Sequence, residues 1–136
     1  MSRRVVLIDD DRAFCKIMEA FALSRGVSLD CFTSLLEMGS VGRLSDYSVA
    51  VIDYDLGPIN GIEIAEYLPI FFSGMPMVLI SGRHREQSKD VPWPSSIRRF
   101  VHKDAGPDAI LDAAVDFFPV FSQVRAIRRG PGMQTT

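Results

Sequence analysis

The chain has 136 residues, 47% hydrophobic and 24% charged, with 15 Lys+Arg against 17 Asp+Glu. That size suits a single domain with its own core, and the hydrophobicity excludes a disordered chain. A formal charge of −2 gives neither nucleic acid nor an anionic membrane a broad electrostatic hold. Two cysteines, Cys15 and Cys31, are too few for a two-plus-two zinc centre, and a reduced cytosolic thiol pair is the plainer expectation than a disulfide. The run Val5–Ile8 follows Arg3-Arg4 but stops at Asp9-Asp10-Asp11, unlike a signal or membrane segment, so a cytoplasmic location is expected.

In chain order, the first apolar run, Val5–Ile8, reads as a strand. Phe14, Ile17, Met18, Phe21 and Ala22 then recur at helical spacing and predict a helix with that stripe inward. Asp10 or Asp11 is placed to cap its first turn. Val27–Phe32 is a second strand, with Val27, Leu29 and Cys31 alternating against Ser28 and Asp30. Ser34 and Glu37, three apart, form a capping box that predicts a second helix to about Arg43. Val49–Ile52 is a third strand, and Gly61 to Leu68 a third helix that Pro69 disfavours continuing. Met77–Ile80 is a fourth strand. Arg83 to Ser96 is polar and holds Pro92 and Pro94, so any helix there is short or irregular. Ile97–Val101 is a fifth strand carrying Arg98 and Arg99. Ile110, Leu111, Ala114, Val115 and Phe118 make a final helical stripe, with Pro107 near its first turn.

Strands alternating with helices imply an α/β fold with a parallel sheet. The first, third and fourth runs are solidly apolar, as strands covered on both faces must be, while the second and fifth are mixed and belong at the edges. A doubly wound five-stranded sheet of order 2-1-3-4-5, flavodoxin-like with helices on both faces, satisfies this with right-handed crossovers.

The candidate reactive groups stand where apolar runs stop: Asp9, Asp10 and Asp11 after the first, Asp53 and Asp55 after the third, Ser81 after the fourth, Lys103 after the fifth. The carboxyl ends of parallel strands share one edge, and the switch point of this order lies between the first and third strands, beside Asp10 and Asp53. Two ionised carboxylates at ~4 Å repel by about 4 kcal/mol at an effective dielectric near 20, so either some protonate or a cation sits among them. Mg²⁺, a hard ion suited to carboxylate oxygens, fits best; His84 and His102 fall away from the acids, which argues against zinc. Carboxylate, lysine, hydroxyl and Mg²⁺ together describe phosphoryl chemistry, in which a carboxylate attacks phosphorus to give an acyl phosphate.

Over about residues 4–118 the sequence resembles the receiver domain of two-component response regulators. The resemblance rests on Val5-Val6-Leu7-Ile8-Asp9-Asp10, Ala50-Val51-Ile52-Asp53, Leu79-Ile80-Ser81-Gly82 and Phe100-Val101-His102-Lys103. It rests also on intervals of 43 residues from Asp10 to Asp53, 28 on to Ser81 and 22 on to Lys103, and on Gly61 at the turn-glycine position. It implies that Asp53 is the phospho-acceptor served by a histidine kinase or a phosphotransfer protein. It implies that Asp9 and Asp10 bind Mg²⁺ with Asp53 and the Asp55 backbone carbonyl, that Ser81 and Lys103 hold the phosphoryl group, and that Phe100 occupies the aromatic switch position. Asp55 and Arg83 match positions that modulate hydrolysis of the acyl phosphate, where an Asp55–Arg83 pair would restrict the attacking water. Such a protein phosphorylates and dephosphorylates itself and is not a turnover enzyme.

Two departures stand out. Asp104 follows Lys103 where the family has a cis-proline, so a trans bond, a shifted loop and competition of Asp104 for Lys103 are expected. Gly57-Pro58 places proline one residue later than usual. Beyond the receiver at 1–118, residues 119–136 form a C-terminal extension: Val120, Phe121, Val124 and Ile127 keep a helical stripe that could pack on a second copy as a homodimer, or could be the stub of a linker to an output domain. Were 136 residues the whole chain, output would run through a downstream protein partner, without direct nucleic-acid or membrane contact. A rival reading is a phosphatase of the haloacid dehalogenase type, which also uses an Asp-x-Asp like Asp53-Tyr54-Asp55. Its chain would be longer, and it leaves Asp9-Asp10 unexplained. The other rival is a pseudo-receiver that binds partners without being phosphorylated.

Overall fold

The computed structural model describes residues 3–39, 41–56, 59–64, 66, 74–82 and 93–119. The chain alternates strands and helices: β1 (Arg4–Ile8), α1 (Arg12–Ser24), β2 (Ser28–Phe32), α2 (Leu35–Met38), a 3-10 turn at Val41–Asp46 and β3 (Val49–Asp53). A two-residue hairpin, β4 (Asp55–Leu56) with β5 (Ile59–Asn60), leads into α3, helical over residues 61–64. Then come β6 (Met77–Ser81), β7 (Ile97–His102), a 3-10 turn at Lys103–Ala105 and α4 (Pro107–Val115).

The five long strands form one parallel sheet in the order β2-β1-β3-β6-β7, which is 2-1-3-4-5 when those strands alone are counted. The apolar strands β1, β3 and β6 are central and the mixed strands β2 and β7 are outermost, as composition requires. Strand side chains alternate between two cores. Val5, Leu7, Val49, Val51, Val78 and Ile80 face α1 and α4, while Val6, Ile8, Ala50, Ile52 and Met77 face Met38, Leu44 and Ile64 on the other side.

Three sequence expectations are corrected. The buried stripe of α1 is Cys15, Met18 and Ala22, so the helix is rotated from the predicted stripe and leaves Ile17 48% and Phe21 38% exposed. Met18 and Ala22 belong to the predicted stripe, Cys15 joins them, and Phe14 packs against the same core. The second helix ends at Met38, short of Arg43, because Gly39 takes a φ of 89° that stops it. Its start is as expected: Ser34 Oγ accepts from Glu37 N at 3.0 Å, while Glu37 reaches back to Thr33 N at 2.9 Å. Third, Cys15 and Cys31 are joined in a disulfide, with Cα atoms 5.8 Å apart. A separation of 16 residues says nothing of proximity until α1 folds back over β2.

Asp11 caps α1, accepting from Phe14 N at 3.1 Å. Trp93 meets Phe100 edge to face at 5.5 Å and Phe100 meets His102 at 4.8 Å, so both rings pack along β7. The expectations for Gly57-Pro58, His84, Arg83, the Asp55–Arg83 pair and residues 120–136, including the homodimer, lie outside the described residues.

Candidate phosphoryl and metal site

Strand register assembles the site. Ile8 stands opposite Ile52, Asp53 opposite Ile80 and Ser81 opposite His102, so Asp9, Asp53, Ser81 and Lys103 all lie at one edge of the sheet. Asp9, Asp53 and Ser81 are buried; Asp10 and Asp55 are exposed. Carboxylate oxygens of Asp9, Asp10 and Asp53 lie within 4.8 Å of one another.

Lys103 lies across two of these acids. Its Nζ is 2.7 Å from Asp9 Oδ2 and 3.3 Å from Asp53 Oδ2. Asp9 Oδ1 accepts from Asp11 N at 2.9 Å, and Asp53 Oδ1 from Asp55 N at 3.3 Å. Asp9 Oδ2, though close to the ammonium, receives it outside hydrogen-bond geometry and is a buried oxygen without a donor. The site thus holds more acceptor capacity than its own donors fill.

Electrostatics follow from burial. Burial, then the Asp9 charge, pushes the Asp53 carboxyl up to about 6, Lys103 offsetting only part. Burial also raises Asp9 against the pull of Lys103 and the Asp11 N–H. Burial disfavours the Lys103 ammonium, yet Asp9 and Asp53 outweigh it and hold the lysine charged. Three carboxylates that each offer an oxygen to one spot, Asp9 with a buried oxygen that lacks a hydrogen-bond donor, suit a hard divalent cation such as Mg²⁺.

The trans bond expected after Lys103 is present, and the lysine pairs with Asp9 and Asp53 rather than Asp104. Phe14 was missed: Lys103 Nζ lies 4.6 Å from its ring centroid, a cation–π contact from the first turn of α1. No spacing in the sequence announces it, because it depends on how α1 docks.

A fold of this order, with acids at its switch point and a lysine across them, defines a doubly wound α/β domain with its charged groups gathered at the carboxyl edge of the sheet. The chain belongs to the response regulator receiver domain family, whose model matches residues 5–115. The cell cycle transcriptional regulator CtrA of Caulobacter vibrioides is 30% identical over 87 residues, covering 63% of this chain and 37% of the regulator. The chain thus spans little more than a third of that relative's length. Among solved structures, the receiver domain of Francisella response regulator 1452 superposes with a TM-score of 0.71 at 17% identity, covering 90% of this chain and 99% of that one. The Thermotoga maritima response regulator TrrA, in complex with Mg(2+)-BeF, gives 0.67 at 16% identity, covering 83% and 96%. At such identities these two structures speak for the fold alone.

Proposed function

We propose that this receiver domain accepts a phosphoryl group on Asp53 from a histidine kinase or phosphotransfer protein, in a Mg²⁺-dependent reaction, and switches a protein-interaction surface. An Asp53 carboxylate oxygen attacks phosphorus, the bond from phosphorus to the donor nitrogen breaks, and an acyl phosphate forms. With a carboxyl at about 6, Asp53 is largely ionised at neutral pH and available as a nucleophile. Lys103, now shared between Asp9 and Asp53, would hold a phosphoryl oxygen, and the Ser81 hydroxyl another. Asp9, Asp10, Asp53 and the Asp55 backbone carbonyl would hold Mg²⁺, which when bound neutralises charge on the phosphoryl oxygens. Asp55 and Arg83 would modulate hydrolysis, and Phe100 would report the change along β7. The domain acts on itself rather than turning over an external substrate, works in the cytoplasm, and contacts protein partners rather than nucleic acid or membrane.

The observation that carries this reading is the Asp9, Asp10 and Asp53 oxygen cluster with Lys103 reaching two of the three acids. TrrA, of the same fold, is a response regulator in complex with Mg(2+)-BeF. Incubation with acetyl phosphate and Mg²⁺ followed by intact-mass measurement tests it. The expected result is a single added phosphoryl group on the wild type and none on Asp53→Asn. An unmodified wild type would overturn the proposal, and rapid turnover of a small phosphomonoester would point to a phosphatase instead.

A further inference from the structure

The Cys15–Cys31 disulfide has no part in the phosphoryl chemistry proposed above, yet both of its ends lead to Asp9. Cys15 is buried on α1, and its Sγ lies 3.4 Å from the Asp9 carbonyl oxygen. Cys31 is half-buried on the outermost strand β2; the next residue, Phe32, accepts the Asp9 N–H at 3.0 Å. The bridge therefore ties the residue that touches the Asp9 carbonyl to the neighbour of the residue that accepts the Asp9 N–H. In the disulfide, Cys15 Sγ has no proton and only touches that carbonyl. In the dithiol it has an S–H to donate to the same oxygen, and α1 is no longer covalently held to β2.

We propose that Cys15 and Cys31 form a reversible thiol–disulfide site whose oxidised state raises the affinity of the acidic pocket for a divalent cation. The pocket half of this rests on the reading of Asp9, Asp10 and Asp53 as a Mg²⁺ site. The oxidant is a low-molecular-weight disulfide, RSSR. The more accessible Cys31, as thiolate, attacks one sulfur of RSSR; that S–S bond breaks and one RS⁻ departs. The Cys15 thiolate then attacks Cys31 Sγ, expelling the second RS⁻. The two protein thiols are oxidised, RSSR is reduced, and the two protons released end on the two RSH formed; excess thiol runs the exchange backwards. Bridges of this kind in reducing compartments are typically redox-sensing rather than permanent. The oxidised form binds the ion better because the bridge holds the Asp9 segment in place before the ion arrives. By linkage, the ion must protect the bridge from reduction by the same factor.

The full chain is equilibrated in glutathione redox buffers with and without Mg²⁺, free thiols are alkylated, and intact masses are read. Mg²⁺ binding to the fully oxidised and fully reduced forms is measured by calorimetry. The expected result is a closed intramolecular bridge, Mg²⁺ binding about fivefold tighter in the oxidised form, and a matching shift in the glutathione ratio needed for reduction. Equal Mg²⁺ affinities in the two forms, or glutathione adducts without closure, would overturn the proposal. Absence of Mg²⁺ binding in both forms would instead overturn the metal-site reading on which it rests.

Discussion

At the scale of single residues, the pocket is governed by one ammonium shared between two buried acids. Lys103 and a divalent cation seek the same oxygens of Asp9 and Asp53, so Lys103→Met is expected to bind Mg²⁺ more tightly than wild type while losing acceptance of phosphate from acetyl phosphate. Calorimetry and intact mass check the two halves separately. The pH dependence has a definite sign. The Asp53 carboxyl moves from an ordinary 3.8 to about 6 on folding, so folding favours its protonated form. That contribution is fully present below about pH 4 and is lost as pH rises through 6. In EDTA, Asp53→Asn is therefore expected to be more stable than wild type at pH 7, by on the order of 3 kcal/mol, and by less than about 1 kcal/mol at pH 4, as read from urea unfolding. The acids, the hydroxyl and the lysine were legible in the sequence because each stands at or just past the end of an apolar run, and a parallel sheet brings such positions to one edge. Phe14 was not, since its contact with Lys103 comes from the docking of α1.

At the scale of elements, close approach and capping set the local geometry. Gly61 begins α3 against the end of β3, and its N–H donates to the Tyr54 carbonyl at 2.8 Å. A Cβ there would stand 2.6 Å from the Asp53 carbonyl oxygen and 2.7 Å from Leu79 Cδ1, backbone on one side and core on the other. Gly61→Ala is expected to cost about 1–3 kcal/mol in thermal or urea unfolding and to slow Asp53 phosphorylation by displacing its main chain. Asp11→Ala removes the α1 cap and is expected to cost about 1 kcal/mol in the same assay. Helix starts were readable because caps are local hydrogen bonds between neighbours. The stop of α2 at Gly39 and the rotation of α1 were not. A stripe that includes Phe14, Ile17 and Phe21 has the right period whichever part of it faces the sheet, and in the structure Cys15, Met18 and Ala22 are buried while Ile17 and Phe21 stay exposed.

At the scale of the whole molecule, the disulfide and the salt bridge from Arg25 to Asp112 at 2.6 Å fasten α1 to its neighbours β2 and α4. Closing a loop of 16 residues in the unfolded chain corresponds to about 3 kcal/mol, so reduction, or Cys15→Ser with Cys31→Ser, is expected to lower the unfolding free energy by about that amount in denaturant titrations run with and without reductant. The order of the sheet was recoverable from strand composition together with the right-handedness of crossovers. A strand covered on both faces must be apolar throughout, and only β1, β3 and β6 meet that demand. The nature of the pocket was recoverable for a related reason: acids and a lysine at strand ends in a parallel sheet have nowhere to go but its carboxyl edge. Distances between segments remote in the chain were beyond such reasoning. The meeting of Cys15 with Cys31, the seat of Lys103 over Phe14 and the face α1 turns inward depend on angles and registers between packed elements. Those are set by shape complementarity across the core, a property of many residues at once that no local pattern encodes.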